Sequence, residues 1–218
     1  MGANAVNGVI NVTTRSAFDT EGGLAVVNLG TLDSDVRLRY GAQLGDSGAG
    51  RVYATAFRRA DLEEADGSSA NDGWDGWQAG FRADWARGVD AITLQGDLQD
   101  ANIEHTLDFG QGYSRGGNVL GRWTHAMGGA SIEVQAYYDE IERQVRGVHD
   151  RLRTWDVQAQ HAFPLGARHA VVWGAATGSR RTSSAPSPIP SFSTRQGGGT
   201  TSPTCSSRTK SRCGRTCC

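Results

Sequence analysis

WDGWQAGFRADWARGVDAITLQGDLQD, residues 74–100, decides the fold. In its first half Trp77, Ala79, Phe81, Ala83 and Trp85 alternate with Gln78, Arg82 and Asp84. A period of two sends apolar side chains to one side and polar ones to the other, as in a strand with two unlike faces. A short turn at residues 87–90 follows, with a glycine that tolerates positive φ. Ile92, Leu94 and Leu98 then alternate with Thr93, Gln95, Asp97 and Gln99. The reading is a β-hairpin with one apolar and one polar face.

The same grammar extends in both directions from this hairpin, from Leu24 to about Gly174. In SDVRLRYGAQLG, Val36, Leu38, Tyr40, Ala42 and Leu44 share a face opposite Arg37, Arg39 and Gln43, and RVYATAFRRA returns after a turn at residues 46–50. GGNVLGRWTHAM and SIEVQAYYDEIERQ form a hairpin around Gly128 and Gly129. There Val119, Gly121 and Trp123 oppose Arg122 and Thr124, and Ile132, Val134, Ala136 and Tyr138 oppose Glu133, Gln135 and Asp139. RTWDVQAQHAF, with Trp155, Val157, Ala159 and Phe163 on one face, precedes RHAVVWG.

About nine strands result. Short links are expected at 46–50, 87–90, 127–129 and 164–167, and longer polar ones at 61–73, 103–116 and 143–150. Short turns on one rim and long loops on the other belong to transmembrane β-barrels. Aromatics near strand ends (Trp74, Trp77, Trp85, Trp123, Tyr138, Trp155, Phe163, Trp173) suit an interfacial girdle. Mid-strand Arg, Asp, Gln, Glu and Thr on the other face would be costly in a dry core, but not beside a water-filled or plugged lumen. The expected fold class is all-β, a partial antiparallel transmembrane β-barrel. An ordinary antiparallel sheet with one wet face is the alternative.

Composition narrows the choice. Of 218 residues 38% are hydrophobic and 30 are glycine, and no run approaches the ~20 apolar residues of a membrane helix, so any spanning is by strands. The net charge of -1 conceals a division. Residues 1–174 hold all 23 acidic residues against fifteen basic ones, whereas residues 175–218 hold seven basic residues and no acidic one. That tail also carries Cys205, Cys213, Cys217 and Cys218, four of the five prolines and the only lysine, Lys210. Its cysteines lack the paired spacing of a zinc site. The expectation is a disordered or frameshifted tail from residue 175: reading two bases later permits, from Thr200 onward, a stretch resembling another barrel strand. A cysteine-free body suits passage through an oxidising periplasm. Residues 1–6 lack the features of a secretory signal, so the true N-terminus is expected upstream.

GANAVNGVINVTTRSAFDTEGGL, residues 2–24, resembles the end of the plug domain of TonB-dependent receptors and its passage into the first barrel strand. Gly2, Ala3, Asn4, Ala5, Gly8, Val9, Ile10 and Asn11 match the family's Tyr-Gly-(Ala/Ser)-Asn-Ala-x-x-Gly-Val-Ile-Asn-Ile-like stretch. SDVRLRYGAQLGD, DGWQAGFRADW, ITLQGDLQD, GGNVLGRWTH and IEVQAYYDEIER also look like that family's barrel. The resemblance implies the last plug strand within residues 1–20 and the first strands of a twenty-two-stranded barrel over 21–174. It further implies a bacterial outer-membrane location and active uptake of a ferric siderophore or similar bulky nutrient. The implied partners are outer-membrane lipid, a siderophore-like ligand and, for the parent protein, the TonB complex, whose contact segment is absent here; nucleic acid is not among them. With open sheet edges the fragment alone is not expected to transport. A passive porin or a structural or adhesin barrel without a plug is the other reading.

No enzyme is expected, and no catalytic, cofactor, metal or ligand residue is assigned. His105, His125, His149, His161 and His169 lack the close spacing of metal ligands. Asp61, Glu63, Glu64, Asp66, Asp72 and Asp75 lack the order of a calcium loop and read as a solvated loop. Glu133, Asp139, Glu140 and Glu142 read as lumen and rim groups rather than a catalytic pair. The glycines of GDSGAG and GQGYSRGG open no helix, so they cradle no phosphate.

Overall fold

The computed structural model describes residues 13–103, 112–145, 148–166 and 168–186. The plug-like residues 2–11, His105 and the four cysteines lie outside them. Nine strands form one antiparallel sheet in which each pairs with its neighbours in sequence: β1 Gly22–Leu29, β2 Asp33–Gln43, β3 Gly48–Arg59, β4 Trp74–Arg87, β5 Asp90–Ile103, β6 Gly112–Met127, β7 Ala130–Val145, β8 Val148–Leu165 and β9 His169–Pro186. A 3-10 turn, Phe18–Thr20, precedes β1. The hairpins expected around Gly88 and Gly128 form, with φ of 63° and 50° at those glycines, where the missing Cβ removes the strain.

Three boundaries differ from expectation. Of the polar stretch 143–150, the described residues are strand and not loop: β7 runs to Val145 and β8 starts at Val148, and the two residues pair. Alternating charges explain this, because Arg143 faces Asp150, Glu142 faces Arg151 and Glu140 faces Arg153 across the ladder. Likewise Gly112 to Gly116 belong to β6, paired with β5. Residues 175–186, expected to open the tail, continue β9 along β8. Thr177, Ser179, Thr182 and Ser184 are compatible with an extended chain once β8 supplies a template.

The register carries further information. Directly paired residues form rows across the sheet, one of which runs Gln43, Ala49, Asp84, Thr93, Arg122, Gln135, Gln158, Ala176. Beyond that row β2 stops at once, whereas β4 runs on to Arg87, β6 to Met127 and β8 to Leu165. The near turns therefore retreat by about one residue per strand. With a rise of ~3.3 Å and a strand spacing of ~4.8 Å, turns lying in one plane correspond to strands tilted by about 35°.

Apolar residues follow the turns and not the rows. On the outer face the apolar stretch runs from Trp85 to Trp77 on β4, from Ile132 to Tyr138 on β7 and from Phe163 to Trp155 on β8. Farther from the turns the same face changes to Asp100, Arg115, Glu142 and Arg151. Given the tilt, the apolar belt is roughly 16–22 Å tall between Cα atoms, and no Asp, Glu, Lys or Arg stands on it. One aromatic is misplaced by the sequence reading: Trp74 belongs to the opposite face, where its ring meets Phe57 edge-on at 4.8 Å.

The sheet has almost no interior. Among the described residues the buried hydrophobic side chains are Ala17, Ala49 and Ala83, and no large side chain is fully buried. Trp77, Phe81, Val119, Trp123, Tyr138, Trp155 and Trp173 are all exposed on the outer face. A sheet with this surface is not covered by the described residues.

Candidate functional site

The most buried charged side chain of the described residues lies on the inner face, near the turns. Asp84 of β4 is 5% exposed. Its Oδ2 accepts the Ala17 N–H at 2.7 Å, the Ser16 hydroxyl at 3.2 Å and Arg82 Nε at 2.8 Å, and its Oδ1 accepts Arg82 Nη2 at 3.0 Å and Thr93 Oγ1 at 2.7 Å. Arg82 also donates through Nη1 to the Thr14 hydroxyl at 2.8 Å and carbonyl at 3.2 Å. Arg51 of β3 donates to the Arg15 carbonyl at 2.7 Å and to Thr20 Oγ1 at 3.3 Å. Residues 14–20 are thus tied across the polar wall formed by β2 to β5.

Register explains how the site assembles. Arg51 and Arg82 are direct partners, as are Asp84 and Thr93, while Arg82 and Asp84 project from the same side of one strand. The floor beneath the segment is Gly41, where a Cβ would run into the Thr20 backbone carbonyl. The Thr20 hydroxyl in turn donates to the Ser16 and Ala17 carbonyls, closing the turn that buries Ala17. Donors converging on backbone carbonyls and a carboxylate on a backbone N–H hold a chain in place. This chemistry is anchoring.

Farther along the wall Tyr53 donates its hydroxyl to Asp97 across β4, passing over Gly80, where a Cβ would displace the Tyr53 ring. Toward the far rim a cavity of about 260 Å³ is lined by Asp35, Arg37, Thr55, Phe57, Arg59 and Trp74. Arg37 pairs with Asp35 at 3.0 Å and Arg59 with Asp33 at 3.2 Å, and the Arg59 guanidinium lies 5.9 Å from the Phe57 ring centre.

The residues weighed from sequence occupy ordinary roles. The acids of 60–73 serve their own loop: Asp61 accepts the Gly73 N–H at 2.7 Å, Asp72 the Leu62 N–H at 2.9 Å and Asp66 the Ser68 N–H at 2.9 Å. Hydrogen bonds from the Ser68 hydroxyl and then from its N–H hold the Asp66 carboxyl below the usual carboxylate range. Glu133 and Asp139 face inward, whereas Glu140 and Glu142 stand outside, above the apolar belt. There Glu140 pairs with Arg151 and Arg153, and Glu142 accepts the Tyr113 hydroxyl at 2.9 Å. His125 pairs with Asp90 at 2.8 Å, His149 contacts Tyr113 at 3.2 Å, and His161 packs on Phe163 and Trp173. His169 opens β9. No cluster of three potential metal ligands occurs among the described residues. Arg51, Arg82 and Asp84 were missed as a site because alternation alone makes them ordinary wall residues; the Arg-x-Asp spacing on one face was the only local sign.

The fold and this site define a nine-stranded antiparallel sheet with an apolar outer face and a polar wall that grips its own N-terminal segment. No protein-family profile matches the chain, and no curated protein or solved structure is significantly similar to it.

Proposed function

We propose that this chain is part of a bacterial outer-membrane β-barrel of the TonB-dependent receptor type, whose parent protein takes up a bulky nutrient such as a ferric siderophore. The observation that carries the membrane reading is the apolar outer belt. It follows the turns although the strands lengthen from 8 to 18 residues, and it is free of Asp, Glu, Lys and Arg. A belt referred to the turn plane is what a lipid layer demands, whereas an interior core would follow the hydrogen-bonded rows. The receptor reading, as against a passive porin or adhesin barrel, is supported by the segment 14–20 held on the inner wall, which is where a plug would join the barrel. The far-rim cavity, which sets the ion-paired Asp35, Arg37 and Arg59 beside Phe57 and Trp74, suits a polar, ring-bearing ligand.

Two measurements test this. The full chain, refolded into vesicles of outer-membrane phospholipid and lipopolysaccharide, is expected to float with the lipid and to gain trypsin resistance over its strands; a protein that folds in plain water instead overturns the membrane reading. Sequencing the gene upstream of the Met1 codon is expected to reveal a plug with a TonB-contacting segment, and an open reading frame without one would leave the porin or adhesin barrel.

A further inference from the structure

We propose that the cavity at the far rim binds an uncharged sugar ring, so that the bulky nutrient of the reading above is a saccharide. The inference rests on that reading, because the inner wall must face water for a soluble ligand to reach it.

Register builds the cavity from three rows of the inner face: Asp33, Arg59 and Trp74; then Asp35, Phe57 and Gly76; then Arg37, Thr55 and Gln78. Gly76 raises no side chain beside Phe57, and Trp74 meets the Phe57 ring with the two planes 67° apart. The loop between β3 and β4 fixes the start of the strand that carries Trp74, since Asp61 accepts the N–H of Gly73 at 2.7 Å. Trp74 stays 43% exposed, so an aromatic surface is offered to water on the polar wall.

Charge selects the class of ligand. The two guanidiniums are matched by two carboxylates, Arg37 Nε to Asp35 at 3.0 Å and Arg59 Nη1 to Asp33 at 3.2 Å. Asn28 Nδ2 donates to both Asp35 oxygens at 3.1 Å and holds that carboxylate in place. A ligand carboxylate would face Asp33 and Asp35, and a ligand ammonium would face Arg37 and Arg59, so a net charge of either sign is disfavoured. What remains on offer is guanidinium donors and carboxylate acceptors side by side, with the Thr55 hydroxyl able to act as either. A ligand hydroxyl also donates and accepts at once, and the neighbouring hydroxyls of a sugar ring match that alternation. The C–H bonds on the face of such a ring suit the negative face of an aromatic side chain. A flat aromatic acid would use the rings but set its carboxylate against Asp33 and Asp35. At about 260 Å³ the cavity is smaller than the ~300 Å³ at which pockets for drug-sized ligands begin, so it takes one ring of a longer chain.

The test uses the full chain refolded into phospholipid vesicles without lipopolysaccharide, so that no sugar accompanies the lipid. The probes are maltotriose, cellotriose and mannotriose, with 2,3-dihydroxybenzoate as an aromatic acid and glucuronate as a charged sugar, each followed by saturation-transfer NMR. At least one trisaccharide is expected to bind saturably and at least tenfold more tightly than either acid. Trp74→Leu should weaken that binding at least tenfold, and Trp74→Phe should retain most of it. Asp33→Asn combined with Asp35→Asn, which removes the charges matching Arg37 and Arg59, should turn the preference toward glucuronate. Flotation and trypsin resistance of the strands report that each variant has folded. A floating chain that binds no trisaccharide, binds 2,3-dihydroxybenzoate as tightly as the best trisaccharide, or binds unchanged after Trp74→Leu overturns the inference. A chain that does not float overturns the membrane reading on which it rests.

Discussion

Asp84 concentrates the energetics of the inner wall. Its carboxylate is almost fully buried and serves two side chains of the wall and the backbone of the inner segment at once. Asp84→Ala leaves Arg82 and the Ala17 N–H without their acceptor, and losing one partner of a buried charged network costs about 3 kcal/mol. In lipid micelles the variant is expected to lower the denaturant midpoint and to open residues 14–20 to trypsin at Arg15, with the strands still protected. Unchanged cleavage at Arg15 would show that the segment is held by something else. Gly41→Ala tests the same contact from below, since the added methyl meets the Thr20 carbonyl. Neither residue could be singled out from sequence, because Gly41 lies 21 positions from Thr20 and Asp84 lies 67 from Ala17.

At the scale of the element, the two faces of a strand should answer oppositely to the same change. Ala136 lies in the outer belt and Gln135 on the wall, one position apart on β7. Arginine near the middle of a lipid-facing belt costs about 2–4 kcal/mol, whereas the wall side remains wet. Ala136→Arg should therefore impair vesicle insertion at least tenfold, and Gln135→Arg should leave it nearly unchanged; equal effects would mean that the outer face does not meet lipid. The loop between β3 and β4 offers a pH test outside the belt. The Asp66 carboxyl is held below its ordinary value by Ser68, so its stabilising bonds are fully present above that ordinary value. They are lost as pH falls through the depressed value. The protection of the Ser68 amide relative to its intrinsic exchange rate should fall in acid, and Ser68→Ala should move the Asp66 titration upward, both followed by NMR.

For the whole molecule, stability should grade from the centre of the sheet outward. Amides of β4 to β6 have ladders on both sides, while alternate amides of β1 and β9 point away from their single partner. Hydrogen exchange in micelles is expected to be slow at the centre and fast on the outward amides of β9, and uniform protection would require a tenth strand. Strand number and pairing partners were legible in the sequence, since alternation and glycine turns are local and repeat with every hairpin. Polarity alone misjudged residues 143–150 and 175–186: a stretch polar on both faces reads as loop until a neighbouring strand supplies its ladder. Trp74 was misassigned for a related reason, as its face depends on parity within β4 and not on its aromatic character. By itself, then, the sequence determined the repeating two-faced strands, because alternation with a period of two is enforced by backbone geometry residue by residue. Only the tertiary structure decided the stagger that levels the apolar belt and the grip of Arg51, Arg82 and Asp84 on residues 14–20. Each of these depends on register between segments far apart in the chain, which no local pattern encodes.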